Sequence, residues 1–225
     1  MAAESAGERV ARALRDQVLT GRLAPGTSLS QASIAAEFGV SRIPVRDALH
    51  RLANEGLIDL GLTTATVPGL SVNELQELYE LREAVEPMAT RLAVPSLGRA
   101  ELVQMAALCQ LMELPTTSTP EWMVANAAFH ALIYQRAQRP RTVALIEQLR
   151  RLTDRYLHLH LDVIGSVEHL QHEHRQILAG VDAGDAARVA ELTRVHLATS
   201  HEFILRYLLE CTGARPRALA AHPGG

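Results

Sequence analysis

Apolar residues recur along most of this chain at the three-and-four spacing of a helix, and serine caps, glycines and prolines cut the pattern into segments. Ser5-Ala6-Gly7-Glu8 is a capping box, after which Val10, Ala13, Leu14 and Val18 share one face until Gly21 stops the run. Leu23-Ala24-Pro25-Gly26 predicts a tight turn, because proline presets φ and glycine accepts a positive one. A short helix is predicted over residues 31–38, ended by Gly39, and another from Ser41 to about Glu55, closed by Gly56. Residues 57–60 and 64–67 are rich enough in β-branched side chains for two short strands in a hairpin, and Pro68-Gly69 marks a boundary.

From a second capping box, Ser71-Val72-Asn73-Glu74, the pattern is helical throughout. Six helices are predicted, over roughly 72–93, 98–113, 120–137, 141–161, 167–180 and 186–210. The breaks are Pro95, the run from Pro115 to Pro120, Arg139-Pro140, Gly165-Ser166 and Gly180 to Gly184. The expected organisation is mostly α: a head over 1–69, a six-helix antiparallel bundle over 70–211 and a flexible tail over 212–225. At 225 residues and 48% hydrophobic, the chain can bury a core in each of two small domains.

Composition excludes more than it selects. No stretch approaches the roughly eighteen apolar residues of a spanning helix, and Met1 to Arg15 lacks the apolar run of a signal peptide, so a cytoplasmic protein away from membranes is expected. Cys109 and Cys211 belong to no CxxC pair and read as reduced fillers. Residues 1–70 hold seven arginines and seven acids, so any surface for nucleic acid has to be local. Residues 71–225 hold eighteen acids and fifteen arginines, which makes nucleic acid an unsuitable partner there.

The stretch Gly39-Val40-Ser41-Arg42-Ile43-Pro44-Val45-Arg46-Asp47-Ala48-Leu49 supplies the local surface. A short helix, a glycine turn and a second helix make a helix-turn-helix pattern, whose second helix presents its N-terminal residues to base edges in the major groove. Proline is harmless in that first turn, where backbone N–H groups have no intrahelical partner. Val45, Ala48, Leu49 and Leu52 form a packing stripe, and Arg42, Arg46 and His50 occupy the adjoining sector. The same spacing also describes an ordinary amphipathic helix with two solvated arginines.

In the predicted bundle, polar residues stand on apolar stripes. Asn126 and His130 align with Ile133, Tyr134 and Ala137; His174 aligns with Leu170, Ile177, Leu178 and Val181; His196 shares a face with Leu192, Thr193, Thr199 and Ser200. Three histidines and an amide from three helices can converge on a divalent metal, or each can be satisfied by a hydrogen bond. His169 and His172, opposite His174, and His158, His160 and His201 read as solvated. Arg82 and Glu86, at i and i+4, read on their own as a surface ion pair, and Pro87 is expected to bend their helix.

The run from Val18 to Ile58, "VLTGRLAPGTSLSQASIAAEFGVSRIPVRDALHRLANEGLI", closely resembles the winged-helix domain of GntR-type bacterial transcription regulators. Its G-x-L-x-P-G, G-V-S-R-x-P-V-R and R-L-x-x-E-G-L elements carry the likeness. The resemblance implies that Arg42 and Arg46 contact DNA, with Ser41 and the helix start on phosphate and His50 alongside. Two departures are Ala32, where many members have a further arginine, and an uncharged wing tip from Leu60 to Ala65.

The segment from Leu70 to about Leu197, with "ELYELREAVEPMATRLA", "NAAFHALI" and "EHRQILAGVDAGDAARVA", is similar to the all-helical FCD ligand-binding domain of the FadR-like branch, in its shorter six-helix variant. That likeness implies a divalent metal at Asn126, His130, His174 and His196, zinc or nickel by its imidazoles, with asparagine where members carry aspartate. It also implies an effector cavity near Arg82 and Tyr134 that takes a small carboxylate.

The resulting expectation is a homodimeric repressor on a pseudo-palindromic double-stranded operator, modulated by a small carboxylate at a metal-containing pocket, and not an enzyme. The alternatives are a direct metal sensor, in which the ion itself is the signal, and a metallohydrolase with an accessory DNA-binding head. The latter lacks an evident general base, since Glu173 projects about 100° away from His174 on its helix.

Overall fold

In the computed structural model, which describes residues 4–61, 64–164 and 168–212, helix α1 (Ala6–Leu19) starts from the expected capping box. The Glu8 amide donates to the Ser5 hydroxyl at 3.2 Å, and the Ser5 amide donates to the Glu8 carboxylate at 2.9 Å. Strand β1 (Ser28–Ser30) leads into α2 (Gln31–Phe38), which Gly39 ends at φ +63°, and α3 (Arg42–Asn54) follows. Strands β2 (Asp59–Leu60) and β3 (Thr64–Thr66) complete an antiparallel sheet in the order β1-β3-β2, with Leu29 opposite Ala65.

The hairpin was expected and the third strand was not. β1 buries a single side chain, Leu29, so it has no alternation long enough to read. Val10, Leu14, Leu29, Ile34, Val45, Leu49, Leu52 and Ile58 form the core beneath this sheet and helix trio, a winged helix-turn-helix. Truncating one of these, such as Leu14→Ala, removes a contact set of the kind that costs about 2–5 kcal/mol.

The remaining described helices are α4 (Val72–Ala93), α5 (Arg99–Glu113), α6 (Thr119–Tyr134), α7 (Pro140–Ile164), α8 (Glu168–Asp182) and α9 (Ala186–Thr212). They match the six expected segments to within a few residues, because the serine, glycine and proline punctuation ends each one. α4 continues through Pro87 to Ala93 and packs along α9 and α7, while α5 packs on α6 and α8. One core gathers Met105, Trp122, Phe129, Ile133, Ile146 and Ile177, and another joins α4, α7 and α9 through Leu75, Tyr79, Tyr156 and Ile204. The wing-tip residues Leu62 and Thr63, the break at Gly165-Ser166 and the tail beyond Thr212 lie outside the described residues.

The head meets the bundle at α7, on which α1 packs. Gly56, at φ +72° after α3, lies so close to Leu152 of α7 that an added Cβ would stand 1.9 Å from its Cδ2. The positive φ strains any side chain at this position, and a Cβ would also force the end of Leu152 to move. Within the bundle, on the next turn of α7, the Tyr156 hydroxyl accepts from the Ser71 amide at 3.3 Å and donates to Glu74 at 2.5 Å, where Arg155 also reaches, which anchors the start of α4. Among the described residues no helix is long and apolar enough to cross a membrane.

Candidate functional site

Packing divides α3 into two faces. Val45, Ala48, Leu49 and Leu52 are buried in the head, which leaves Ser41, Arg42, Arg46 and His50 exposed together on the other side. The closest acid to Arg46 is its exposed neighbour Asp47, at 3.8 Å, a pair of little energetic weight in water. Ser41 occupies the N-cap position with extended backbone, yet its side chain caps nothing, so its hydroxyl and the first-turn N–H groups remain available to an anion. Ile43, which the sequence reading passed over, is 64% exposed between Ser41 and Arg46. An exposed apolar side chain on this turn suits contact with a thymine methyl group.

The second site is enclosed. α6 supplies Asn126 and His130, α8 supplies His174 and α9 supplies His196, and all four are buried. The ring nitrogens of the three histidines lie within 4.8 Å of one another, with His130 Nε2 and His174 Nε2 at 3.2 Å. A zinc ion bound tetrahedrally at about 2.0–2.1 Å to both nitrogens would set them roughly 3.3 Å apart. Burial, with added repulsion from Arg150 and the neighbouring imidazoles, holds His130 and His174 well below the ordinary histidine range. Both rings are therefore neutral, which is the form that binds metal. Among the described residues Asn126 Oδ1 is buried without a hydrogen-bond partner, an acceptor left open beside the cluster. The donor set fits a divalent ion.

Glu173 is the residue that sequence reasoning missed. His196 Nδ1 donates to Glu173 Oε2 at 2.7 Å, which fixes the ring's tautomer and leaves Nε2 as its lone-pair nitrogen. Reading Glu173 as projecting away from the inward set holds for α8 alone. α9 passes that flank of α8 and brings His196 to it, a juxtaposition that spacing within one helix cannot reveal.

Arg82 and Glu86 are a buried pair, 7% and 0% exposed, and the surface reading is corrected. The Arg82 Nε donates to Glu86 at 2.6 Å and its Nη1 donates to Thr153 at 3.1 Å, while the Tyr134 hydroxyl donates to the other Glu86 oxygen at 2.5 Å. Burial opposes the Glu86 charge, but Arg82 and Arg150 outweigh it and hold the carboxyl below its ordinary range. The cavity that Arg82, Asn126, His130 and His196 line amounts to about 20 Å³, room for one water-sized body. The solvated histidines are also redistributed: His172 is exposed, but His158 is buried, His169 and His201 are half-buried, and His201 stacks on Tyr79 at 4.9 Å. The side chains of His160 and Cys211 lie outside the described residues, and Cys109 is a buried free thiol.

Residues 6–60 match the family described as bacterial regulatory proteins, gntR family, and residues 77–199 match the FCD domain. The chain is 30% identical over 177 residues to the HTH-type transcriptional regulator McbR of Escherichia coli (strain K12), covering 76% of this chain and 80% of that one. It is 36% identical over 135 residues to the gluconate operon transcriptional repressor of Bacillus licheniformis, where the match covers 57% of this chain and 54% of the relative. The solved structure of E. coli McbR/YncC superposes with a TM-score of 0.76 at 25% identity, over 91% of this chain and 99% of that one.

Proposed function

The chain belongs to the gntR family of bacterial regulatory proteins, in its FCD-containing form, and we propose that it is a homodimeric repressor whose operator binding responds to a small carboxylate and a bound divalent metal. The family consists of DNA-binding transcription regulators rather than enzymes. The observation that carries the reading is the pairing of one exposed, unengaged cationic helix face with one buried histidine cluster in the same chain.

In this reading residues 1–69 are the DNA-binding head, 70–211 the dimerising sensor and 212–225 a tail. Two copies of α3 meet a pseudo-palindromic double-stranded operator, with Arg42, Arg46 and His50 towards the groove and Ser41 on phosphate. His130, His174 and His196 hold the metal, zinc or nickel by their chemistry, with Asn126 completing the set. The ion supplies a Lewis-acidic positive charge that attracts an anion. Asparagine in place of a carboxylate leaves that charge less neutralised. Glu173 holds His196 in its binding tautomer, and Arg82 with Tyr134, braced by Glu86, forms the wall facing the cluster.

A second reading, direct metal sensing, draws support from the size of the inner cavity, whose 20 Å³ admits an ion and no organic molecule, and from the engagement of Arg82 and Tyr134 by Glu86. The deciding experiment measures metal content of tag-free protein beside a His174→Ala variant, then operator affinity with and without chelator. About one zinc or nickel per chain, lost in the variant, supports the centre. Operator release on chelation alone, with no organic ligand, selects the metal sensor; metal-free protein that folds and binds operator overturns the metal in either form.

A further inference from the structure

Beside the inner cavity lies a larger one, about 160 Å³, between α6 and α7. Ala127, Ala131 and Val143 give it an apolar wall, and Arg150 and Asp154 line both cavities, so these two side chains are the partition between them. Arg150 differs from Arg82 in one decisive respect. Its side chain is only 11% exposed, yet among the described residues its guanidinium donates no hydrogen bond; Glu86 stands off at 3.7 Å and is already held by Arg82 and Tyr134, and Asp154, one turn along α7, feels the Arg150 charge without bonding to it. A largely desolvated guanidinium with free donors, facing an apolar recess, is the chemistry of an organic-anion site.

We propose that the outer cavity binds a short-chain carboxylate, gripped by Arg150 and with its hydrocarbon against Ala127, Ala131 and Val143. The volume is below the roughly 300–1,000 Å³ of drug-sized sites, which restricts the ligand to a few carbons. Glu147, at the exposed mouth, stays solvated. Asp154 is the residue an anion would meet with least favour; burial raises its carboxyl above the ordinary aspartate range, and Arg150 and Arg82 oppose that rise. The assignment separates ligand gripping from the saturated Arg82 and moves the carboxylate one wall away from the histidines. It also provides a route outwards, because α7 carries Arg150 on one face and Leu152, in contact with Gly56 at the end of α3, on the next.

This inference rests on the carboxylate-responsive reading but not on the metal. The test is calorimetric titration of the full chain with butyrate, and with butyramide as its uncharged counterpart, both after chelator treatment and after zinc loading. Butyrate is expected to bind in both preparations, and butyramide at least about tenfold more weakly. Arg150→Gln, and separately Ala131→Leu, which fills the recess from the far wall, should each weaken butyrate about tenfold or more, and Ala131→Leu should leave zinc uptake unchanged. Failure of zinc uptake with butyrate binding intact would remove the metal reading and leave this site standing. Butyrate affinity unaltered in both variants, or no binding up to about 20 mM, where even a weak site fills, overturns it.

Discussion

Arg42 and Arg46 on α3 and Arg82 and Arg150 in the bundle are one side chain under opposite conditions. Among the described residues the first two stand in water with no acid closer than the 3.8 Å of Asp47; Arg82 is buried and Arg150 largely so, both beside the carboxylate of Glu86. In water a guanidinium is cheap to present and free to meet a phosphate or a base. In the interior the same group is tolerable only with a partner, so Arg82 is held to its place in the fold. The two regions therefore fail differently when altered: one loses binding, the other loses structure. Glu86→Ala should produce the largest effect, because it strands Arg82 without its charge partner; about 3–5 kcal/mol of bundle stability is expected to go, read by urea unfolding.

Arg46→Ala tests the other side. It should cost about 1–3 kcal/mol in operator affinity, measured by titration at fixed salt, and leave unfolding within about 0.5 kcal/mol of the parent. A marked loss of stability would mean that α3 leans on Arg46 and that the contrast between the two regions is wrong. An unchanged operator affinity would take Arg46 out of the interface.

The same contrast explains what could be read from the sequence. Helices and their ends were legible because caps and breakers are local: Ser5, Gly39, Ser71 and Pro140 each act within a turn of themselves. The inward positions of Asn126, His130, His174 and His196 were legible because each stands in register with apolar residues of its own helix. What depends on a second helix was hidden. Arg82 and Glu86 have the same spacing on a surface as in a core, and only the approach of α7, with Thr153 and Arg150, decides between them. Glu173 reaches His196 across two helices, and β1 pairs with β3 some thirty-five residues along the chain, beyond any local pattern.

Glu173→Gln gives a smaller effect that sharpens the division within the buried region itself. In the proposed metal centre Glu173 touches no ion; it holds His196 through Nδ1. Loss of that charge is expected to weaken zinc binding about 10–100-fold in competition with a chelator, with the three imidazoles still able to bind. Abolished binding, as after His174→Ala, would make Glu173 a direct ligand instead.

The smallest effect discriminates most finely, because it compares two serines in the same backbone position. Ser71 caps α4 by accepting from the Glu74 amide at 3.3 Å, whereas Ser41 at the start of α3 caps nothing. Ser71→Ala should therefore cost about 1 kcal/mol of stability, the ordinary value of an N-cap, and leave operator binding alone. Ser41→Ala has no such bond to lose, so its unfolding midpoint should match the parent, while its operator affinity falls by the modest amount of one uncharged phosphate contact. A helix start that packing needs is closed by its own serine; one that must receive a phosphate is left open until the duplex arrives. If Ser41→Ala destabilised the head as much as Ser71→Ala does the bundle, the hydroxyl would be a structural cap in solution and its place at the DNA surface would lose its support.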